Sequence, residues 1–183
     1  MKYRKNIRLK NYDYSTNGYY FVTICTCNRK CLFGKIIVGA GSYACPKMIL
    51  NDAGRMIAEI WHQIPEYYAG NDIDEFVVMP NHIHGIIIVK NGRTVDKNGQ
   101  PQGVAPTVLS LPDIVHRFKT MTTKKYTDGV KQLGWQPFYG KLWQRNYFEH
   151  ITRNENDLKG IREYIRNNPA NWETDDEFCK LHG

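Results

Sequence analysis

The stretch DIDEFVVMPNHIHGIIIV, residues 72–89, contains two apolar segments that Pro80 and Asn81 separate. Each segment has the length of a β-strand and is rich in β-branched residues, and a Pro-Asn pair favours a tight turn. The stretch therefore predicts two strands that pair antiparallel. The second strand also carries His82 and His84 among isoleucines, which raises the question of why an apolar strand contains two titratable rings.

Other segments predict the elements around this hairpin. GYYFVTICT (18–26) predicts a strand, and KLWQRNYFEHIT (141–152) predicts a strand or a strand-like connection. Three further segments have the apolar periodicity and end signals of helices. They are 51–65, capped by Asn51 or Asp52 and ended by Pro65; 110–126, opened by a Ser110–Asp113 capping box; and 154–169, opened by an Asn154–Asp157 box. Strands that interleave with three helices predict an α+β, ferredoxin-like fold with a mostly antiparallel sheet.

The length of 183 residues suits one domain, 1–183, with a substantial core. Residues 90–107 have no apolar periodicity and many turn formers, so they predict a long flexible loop. The sequence has no signal-type segment and no apolar run of the roughly 18–20 residues that a membrane span needs. We therefore expect a cytoplasmic protein without a membrane partner.

The charge indicates a class of partner, and the cysteine content indicates the state of the thiols. The net charge of +7 favours a polyanionic partner such as a nucleic acid, although many basic proteins bind none. The five cysteines are an odd number without CxxC pairs, which favours free thiols over a disulfide framework.

His82 and His84 stand two residues apart in a predicted strand, so their side chains project from the same face. Two neutral imidazoles on a rigid strand form half of a site for a divalent metal. The alternative interpretation is structural: two histidine rings at a sheet edge that hydrogen-bond only to the main chain would show the same His-x-His spacing. The pair alone leaves both interpretations open.

The last predicted helix offers a second set of polar residues. Leu158, Ile161 and Ile165 form an apolar stripe, and Tyr164 and Asn168 lie one turn apart beside it. If the stripe packs on the sheet, these two side chains face the sheet at the margin of the contact. A tyrosine at the core edge and an asparagine that ends the helix before Pro169 explain the pattern equally well.

Two segments together carry a family resemblance. FVVMPNHIHGIIIV (76–89) with WQRNYFEHITRNENDLKGIREYIRNNP (143–169) resembles the tyrosine transposases of the single-strand type, in particular the REP-associated tyrosine transposases. The opening RLKNYDYSTNGYYFVTICT (8–26) and the FG at 33–34 are also similar to that group. The resemblance covers nearly the whole chain apart from the 90–107 loop and the last dozen residues.

The resemblance implies a site and a reaction. It places metal ligands at His82, His84 and Asn168, a divalent Mg²⁺ or Mn²⁺ between them, and the nucleophile at Tyr164, in a helix at the C-terminal end. The implied activity is that of a single-stranded DNA endonuclease and strand transferase that forms a 5′-phosphotyrosine at DNA hairpin ends. Tyr147 is a rival nucleophile, for which packing is the expected role.

Single-stranded DNA with hairpins is the partner that the resemblance implies, bound by a monomer or a homodimer. Basic residues near the N-terminus and on the second helix are expected to contact phosphates. They are Arg4, Lys5, Arg8, Lys10, Arg117, Lys119, Lys124 and Lys125. Tyr12, Tyr14 and Tyr126 are candidates for stacking unpaired bases. Three other functions remain open at this point: a metal-dependent phosphodiesterase that uses water, a domesticated hairpin-DNA-binding protein and an RNA-binding α+β domain.

Overall fold

The computed structural model describes residues 9, 12–38, 45–68, 70–90, 109–175 and 177–178. All but the first residue of the predicted 90–107 loop, and the basic residues Arg4, Lys5, Arg8 and Lys10, lie outside the described residues. In chain order the strands and helices are β1 (Gly18–Cys25), β2 (Gly34–Ile37), β3 (Lys47–Leu50), α1 (Asp52–His62), α2 (Ile64–Tyr67), β4 (Asn71–Val78), β5 (His82–Val89), α3 (Leu111–Leu133), β6 (Phe148–Ile151) and α4 (Glu155–Asn167). Short 3₁₀ turns span Cys27–Arg29 and Trp172–Thr174.

The main sheet has four strands in the order β4-β5-β1-β6, and every neighbouring pair is antiparallel. Without β2, β3 and the one-turn helix α2, the succession is strand, helix, strand, strand, helix, strand, as in a ferredoxin-like fold, and α4 follows it. The predicted α+β fold with an antiparallel sheet is therefore confirmed. The hairpin at 72–89 is confirmed as β4 and β5, whose register shifts between Ile73 and Phe76.

A second, two-stranded sheet formed by β2 and β3 was not predicted. Each strand has only four residues, so neither provides a clear alternation. Gly34 begins β2 with a φ of 141°, and a Cβ there would lie 2.1 Å from the Ile49 carbonyl oxygen. Glycine is therefore required where the two strands approach.

The helix ends agree with the sequence in most details. The Asn51 side chain caps α1 by accepting from the Gly54 amide at 2.8 Å, and α1 ends at His62, before Pro65. The Ser110–Asp113 capping box is present, but α3 continues seven residues past the predicted end, to Leu133, where Gly134 adopts the left-handed conformation. The box at α4 is only half formed. Asn154 accepts from the Asp157 amide, whereas the Asp157 carboxylate accepts from the Arg153 amide and His150.

The strand alternation gives the main sheet two different faces. One face packs against α1 and α3 in the larger apolar core, where Trp61 lies directly over Gly85. The other face packs against α4 in a smaller cluster of Phe21, Ile86, Leu158 and Ile165, with Ile161 partly buried beside it. The predicted stripe on the last helix is thus confirmed, and His82 and His84 lie on this second face.

Candidate active site

The two histidines are adjacent and fully buried. His82 and His84 project from the same face of β5, as their spacing predicts, and they are 0% and 2% exposed. Their Nε2 atoms lie 2.8 Å apart. The alternation of β5 explains the pairing, since Ile83 between them enters the larger core.

Each ring is oriented by a hydrogen bond at its other nitrogen. His82 Nδ1 donates to the Asn81 side-chain oxygen at 2.8 Å, so the Nε2 atom of the neutral ring carries a lone pair. Burial, together with the neighbouring His84, holds the pKa of His82 well below its usual value, and the ring is therefore neutral. His84 Nδ1 lies 2.9 Å from the Thr23 hydroxyl. That hydroxyl both donates and accepts, so it permits the His84 tautomer that presents a second lone pair beside His82.

Helix α4 brings the predicted nucleophile to the histidines of the same chain. The Tyr164 hydroxyl lies 3.3 Å from His84 Nε2 and donates to the Asp175 carboxylate at 3.2 Å. The Tyr164 ring packs edge-on against Phe21, yet the residue remains 45% exposed. Its hydroxyl thus faces a buried polar cluster while its ring borders solvent.

Asp175 completes this cluster from the segment after α4. Its Oδ2 atom accepts from the Asn168 side-chain amide at 2.7 Å and lies 3.7 Å from His84 Nε2. Burial alone would raise the pKa of Asp175, but the neighbouring His84 ring and the hydrogen bonds from the Asn168 side chain and the Glu177 main-chain amide outweigh burial and hold the pKa below its usual value. Asp175 is therefore an ionised acceptor at neutral pH.

The donor set fits a divalent cation. One ligand atom from each of His82, His84 and Asp175 lies within 4.8 Å of the others. The side-chain oxygen of Asn168 is buried and has no hydrogen-bond partner among the described residues. An orphaned buried oxygen is costly, and a cation would satisfy it. Imidazole nitrogens combined with carboxylate and amide oxygens are ordinary ligands for such an ion.

Three residues of this site were missed in the sequence. Asp175 lies in an acidic segment without periodicity, 91 positions from His84, and only the turn at Trp172–Thr174 brings it back to the sheet. Thr23 lies directly opposite His84 in the β1–β5 register, which a correct pairing of the two strands would have shown. Asn81 belongs to the tight turn and orients His82 from there.

The segment after Asp175 is also anchored beside the site. Glu177 forms an ion pair with Arg29 at 2.9 Å and accepts from the Cys25 thiol at 3.2 Å, while its main-chain oxygen accepts from the Asn81 amide. Burial and the hydrogen bond from the thiol to the Glu177 carboxylate raise the pKa of Cys25, so the thiol stays protonated. Cys25, Cys27, Cys31 and Cys45 are free thiols, and Cys179 lies outside the described residues.

The basic residues predicted on α3 are not brought to this site. Helix α3 packs on the opposite face of the main sheet. Arg117 lies over the Tyr68 ring, and the Lys119 ammonium donates to the carbonyl oxygens of residues 144 to 146. Lys124 and Lys125 are exposed. Their role in DNA binding stays a prediction.

The aromatic residues suggested for base stacking require a correction. Tyr14 and Tyr126 are 8% and 0% exposed and belong to the larger core, so they offer no face to a base. The Tyr126 hydroxyl donates to the Gln136 carbonyl, and Tyr12 hydrogen-bonds to Tyr20. Tyr147 packs against the same core beneath Lys119, on the face opposite the histidines, as expected of a packing residue.

Part of the chain matches the model of a known protein family. Residues 104–168 match the model of the IS200-like transposases. This match covers about a third of the chain and shows its similarity to the IS200-like transposases. The matched segment contains Tyr164 and Asn168, whereas His82 and His84 precede it. The resemblance predicted from the sequence is thereby confirmed.

Individual similar proteins match almost the full length of the chain. An uncharacterized protein of Haemophilus influenzae is 39% identical over 180 residues, which cover 94% of this chain and 92% of the relative. A REP-associated tyrosine transposase bound to a REP hairpin is 19% identical, with 88% of this chain and 72% of that chain covered and a TM-score of 0.48. A putative transposase from Deinococcus radiodurans is also 19% identical, with 87% and 95% covered and a TM-score of 0.45. No described helix is both long and apolar enough to cross a membrane.

Proposed function

We propose that this IS200-like protein cleaves and rejoins single-stranded DNA at hairpin ends through a covalent bond to Tyr164. The observation that carries the proposal is the position of the Tyr164 hydroxyl, 3.3 Å from His84 Nε2 and 3.2 Å from the Asp175 carboxylate. A nucleophile of this kind must lie beside the groups that stabilise the charge of the reacting phosphate.

His82 and His84, with oxygens from Asp175 and Asn168, would hold Mg²⁺ or Mn²⁺. The ion, when bound, would supply Lewis-acid stabilisation of the scissile phosphate. Asn81 and Thr23 keep the two imidazoles oriented for this role, since each bonds the ring nitrogen that faces away from the site.

Tyr164 supplies the attacking oxygen. A phenol has a pKa of about 10, so it is a weak nucleophile until another group accepts its proton. The Asp175 carboxylate accepts the Tyr164 hydrogen bond and orients the oxygen. Attack forms an oxygen–phosphorus bond to Tyr164 and breaks the bond from phosphorus to the 3′ oxygen. The proton that the Tyr164 hydroxyl loses ends on the departing 3′ oxygen, so the exchange consumes and releases no proton overall. The 5′-phosphotyrosine preserves the phosphodiester energy, so a 3′ hydroxyl of another strand reverses the reaction without ATP.

Single-stranded DNA with hairpins is the proposed substrate. The net charge of +7 suits a polyanion, and Tyr164, which is 45% exposed, lies at the solvent edge of the buried polar cluster, where a strand can reach it. The hairpin itself follows from the sequence resemblance to the REP-associated tyrosine transposases.

The test uses a panel of hairpin oligonucleotides with single-stranded flanks, each labelled at the 5′ or the 3′ end. With Mn²⁺, the 3′ label is expected to shift on a denaturing gel as a covalent protein–DNA species, and the 5′ label to appear as a short fragment. Excess chelator and His84→Ala should each abolish both products while the thermal unfolding midpoint shows that the protein remains folded. His116→Ala, at an exposed position of α3, is the matched control and should react as wild type does.

Two outcomes would contradict the proposal. Cleavage without a shifted 3′ label would show that water, not tyrosine, attacks the phosphate. Full activity in excess chelator would show that the reaction does not require a metal.

A further inference from the structure

A cleft continues from Tyr164 between α4 and β6. Its volume is about 560 Å³, within the size range of small-ligand sites. The sheet contributes Phe148 and His150, and α4 contributes Asn156 and Gly160. His84 and Tyr164 line the same cleft, so a group bound there lies next to the reacting atoms.

Gly160 is the feature of this cleft that the fold does not explain. It lies in the interior of α4, where a glycine costs helix stability relative to other residues. Its φ is not positive, and a Cβ added there would meet nothing within 4 Å. Neither a turn nor close packing requires glycine at this position. The missing side chain does keep the cleft open one helical turn before Tyr164.

Phe148 provides an aromatic surface on the opposite wall. It is 51% exposed, although it is a large apolar side chain, and its ring packs edge-on against Phe21 at 6.2 Å. Exposed aromatic faces of this kind stack unpaired nucleobases in single-strand-binding proteins. The polar groups of the cleft are fixed around it, since His150 Nε2 donates to the Asp157 carboxylate at 2.9 Å.

We propose that this cleft binds one unpaired nucleobase of the nucleotide next to the scissile phosphate. The base would stack on Phe148, pass over Gly160 and present its edge to the Asn156 amide. The inference rests on the proposed function, because the cleft shares Tyr164 and His84 with the reacting site. It also gives a physical reason for a single-stranded substrate, since a base in a duplex is stacked on both sides and its edge is paired.

The experiment measures the rate of covalent adduct formation on oligonucleotides that lack the base on the 5′ or the 3′ side of the cleavage site. For the wild type, one of these abasic substrates should react about tenfold more slowly than the intact strand, as expected for the loss of one stacked base. Phe148→Ala should slow the intact substrate by a similar factor and should lose no further rate on the abasic substrate. Phe148→Tyr, which keeps the ring, should react as wild type does.

Substitution of Gly160 separates a blocked cleft from a damaged fold. Gly160→Leu should lower the adduct rate at least tenfold, yet raise the thermal unfolding midpoint, because leucine favours a helix more than glycine does. Gly160→Ala should raise the midpoint with a smaller loss of rate. Lys159→Leu adds a similar side chain at an exposed neighbouring position outside the cleft and should keep the wild-type rate.

The outcomes distinguish this inference from the proposed function. Base binding in the cleft would be overturned if Gly160→Leu reacted at the wild-type rate. It would also be overturned if Phe148→Ala lost as much further rate on the abasic substrate as the wild type does. Either result would leave the chemistry of Tyr164 intact. No adduct from the wild type on any oligonucleotide of the panel would overturn the proposed function, and this inference with it.

Discussion

The two faces of the main sheet use the same strands and both contain fully buried side chains, but they differ in the partners of those side chains. Ile83 and His84 are neighbours on β5, with exposures of 0% and 2%. Ile83 contacts the apolar core beneath α1 and α3, whereas His84 faces Thr23, His82, Tyr164 and Asp175. Burial therefore does not distinguish the site from the core. The distinction lies in the hydrogen-bond partners, which offset the free-energy cost of burying each polar group.

This comparison predicts that substitutions on the two faces affect different properties. On the α1 and α3 face, a change should lower the free energy of unfolding. On the α4 face, a change should lower metal binding or DNA cleavage, with a smaller effect on unfolding.

The largest effect on stability is expected from Trp61→Ala. Trp61 is 0% exposed, stacks on Phe76 at 4.7 Å and covers Gly85. Removing so large a buried ring should lower the free energy of unfolding by about 3–5 kcal/mol. Urea titration measures the loss. Tyr67→Ala removes an aromatic ring that is 55% exposed and should stay within about 0.5 kcal/mol of wild type. Equal losses for the two variants would contradict the contribution of the buried Trp61 ring to the larger core.

A smaller effect on stability and a larger effect on metal binding are expected from Thr23→Val. The substitution removes the hydroxyl that lies 2.9 Å from His84 Nδ1 and leaves a buried ring nitrogen without its partner. The free energy of unfolding should fall by about 1–3 kcal/mol. Affinity for Mn²⁺ should fall about 10- to 100-fold, because the bond that orients a ligand is lost.

Calorimetric titration with Mn²⁺ and urea titration together check this prediction. Thr23→Ser keeps a hydroxyl and should retain most of the affinity. Unchanged Mn²⁺ binding by folded Thr23→Val would show that Thr23 does not orient the His84 ring for a metal.

The sequence predicted most of the fold because its local signals are strong. The hairpin at 72–89 and the capping residues Asn51 and Ser110 indicated their elements directly. The β2–β3 hairpin was missed because four-residue strands have too short an alternation to detect. Strand β6 is shorter than predicted, since only Phe148–Ile151 pairs and Trp143 forms an isolated bridge with Thr26.

The candidate site was predictable only in part, because its residues come together through tertiary packing. His82 and His84 share a strand face, and Tyr164 and Asn168 share a helix flank, so local periodicity indicated both pairs. Asp175 joins them through a turn without periodicity, and Thr23 joins through the β1–β5 register. Tyr14 and Tyr126 were assigned to base stacking because the aromatic pattern alone does not show that tertiary contacts bury both rings.

The most direct test of Tyr164 as the nucleophile removes the attacking oxygen and leaves the ring in place. Tyr164→Phe removes only a hydroxyl from a residue that is 45% exposed, so the free energy of unfolding should change by less than about 0.5 kcal/mol. Hairpin binding should survive, while cleavage and the covalent protein–DNA species should both disappear. Tyr147→Phe, on the opposite face of the sheet, should leave both intact. If the Tyr164→Phe protein cleaves DNA at a rate near that of the wild type, the nucleophile is another group and the assignment of α4 is wrong.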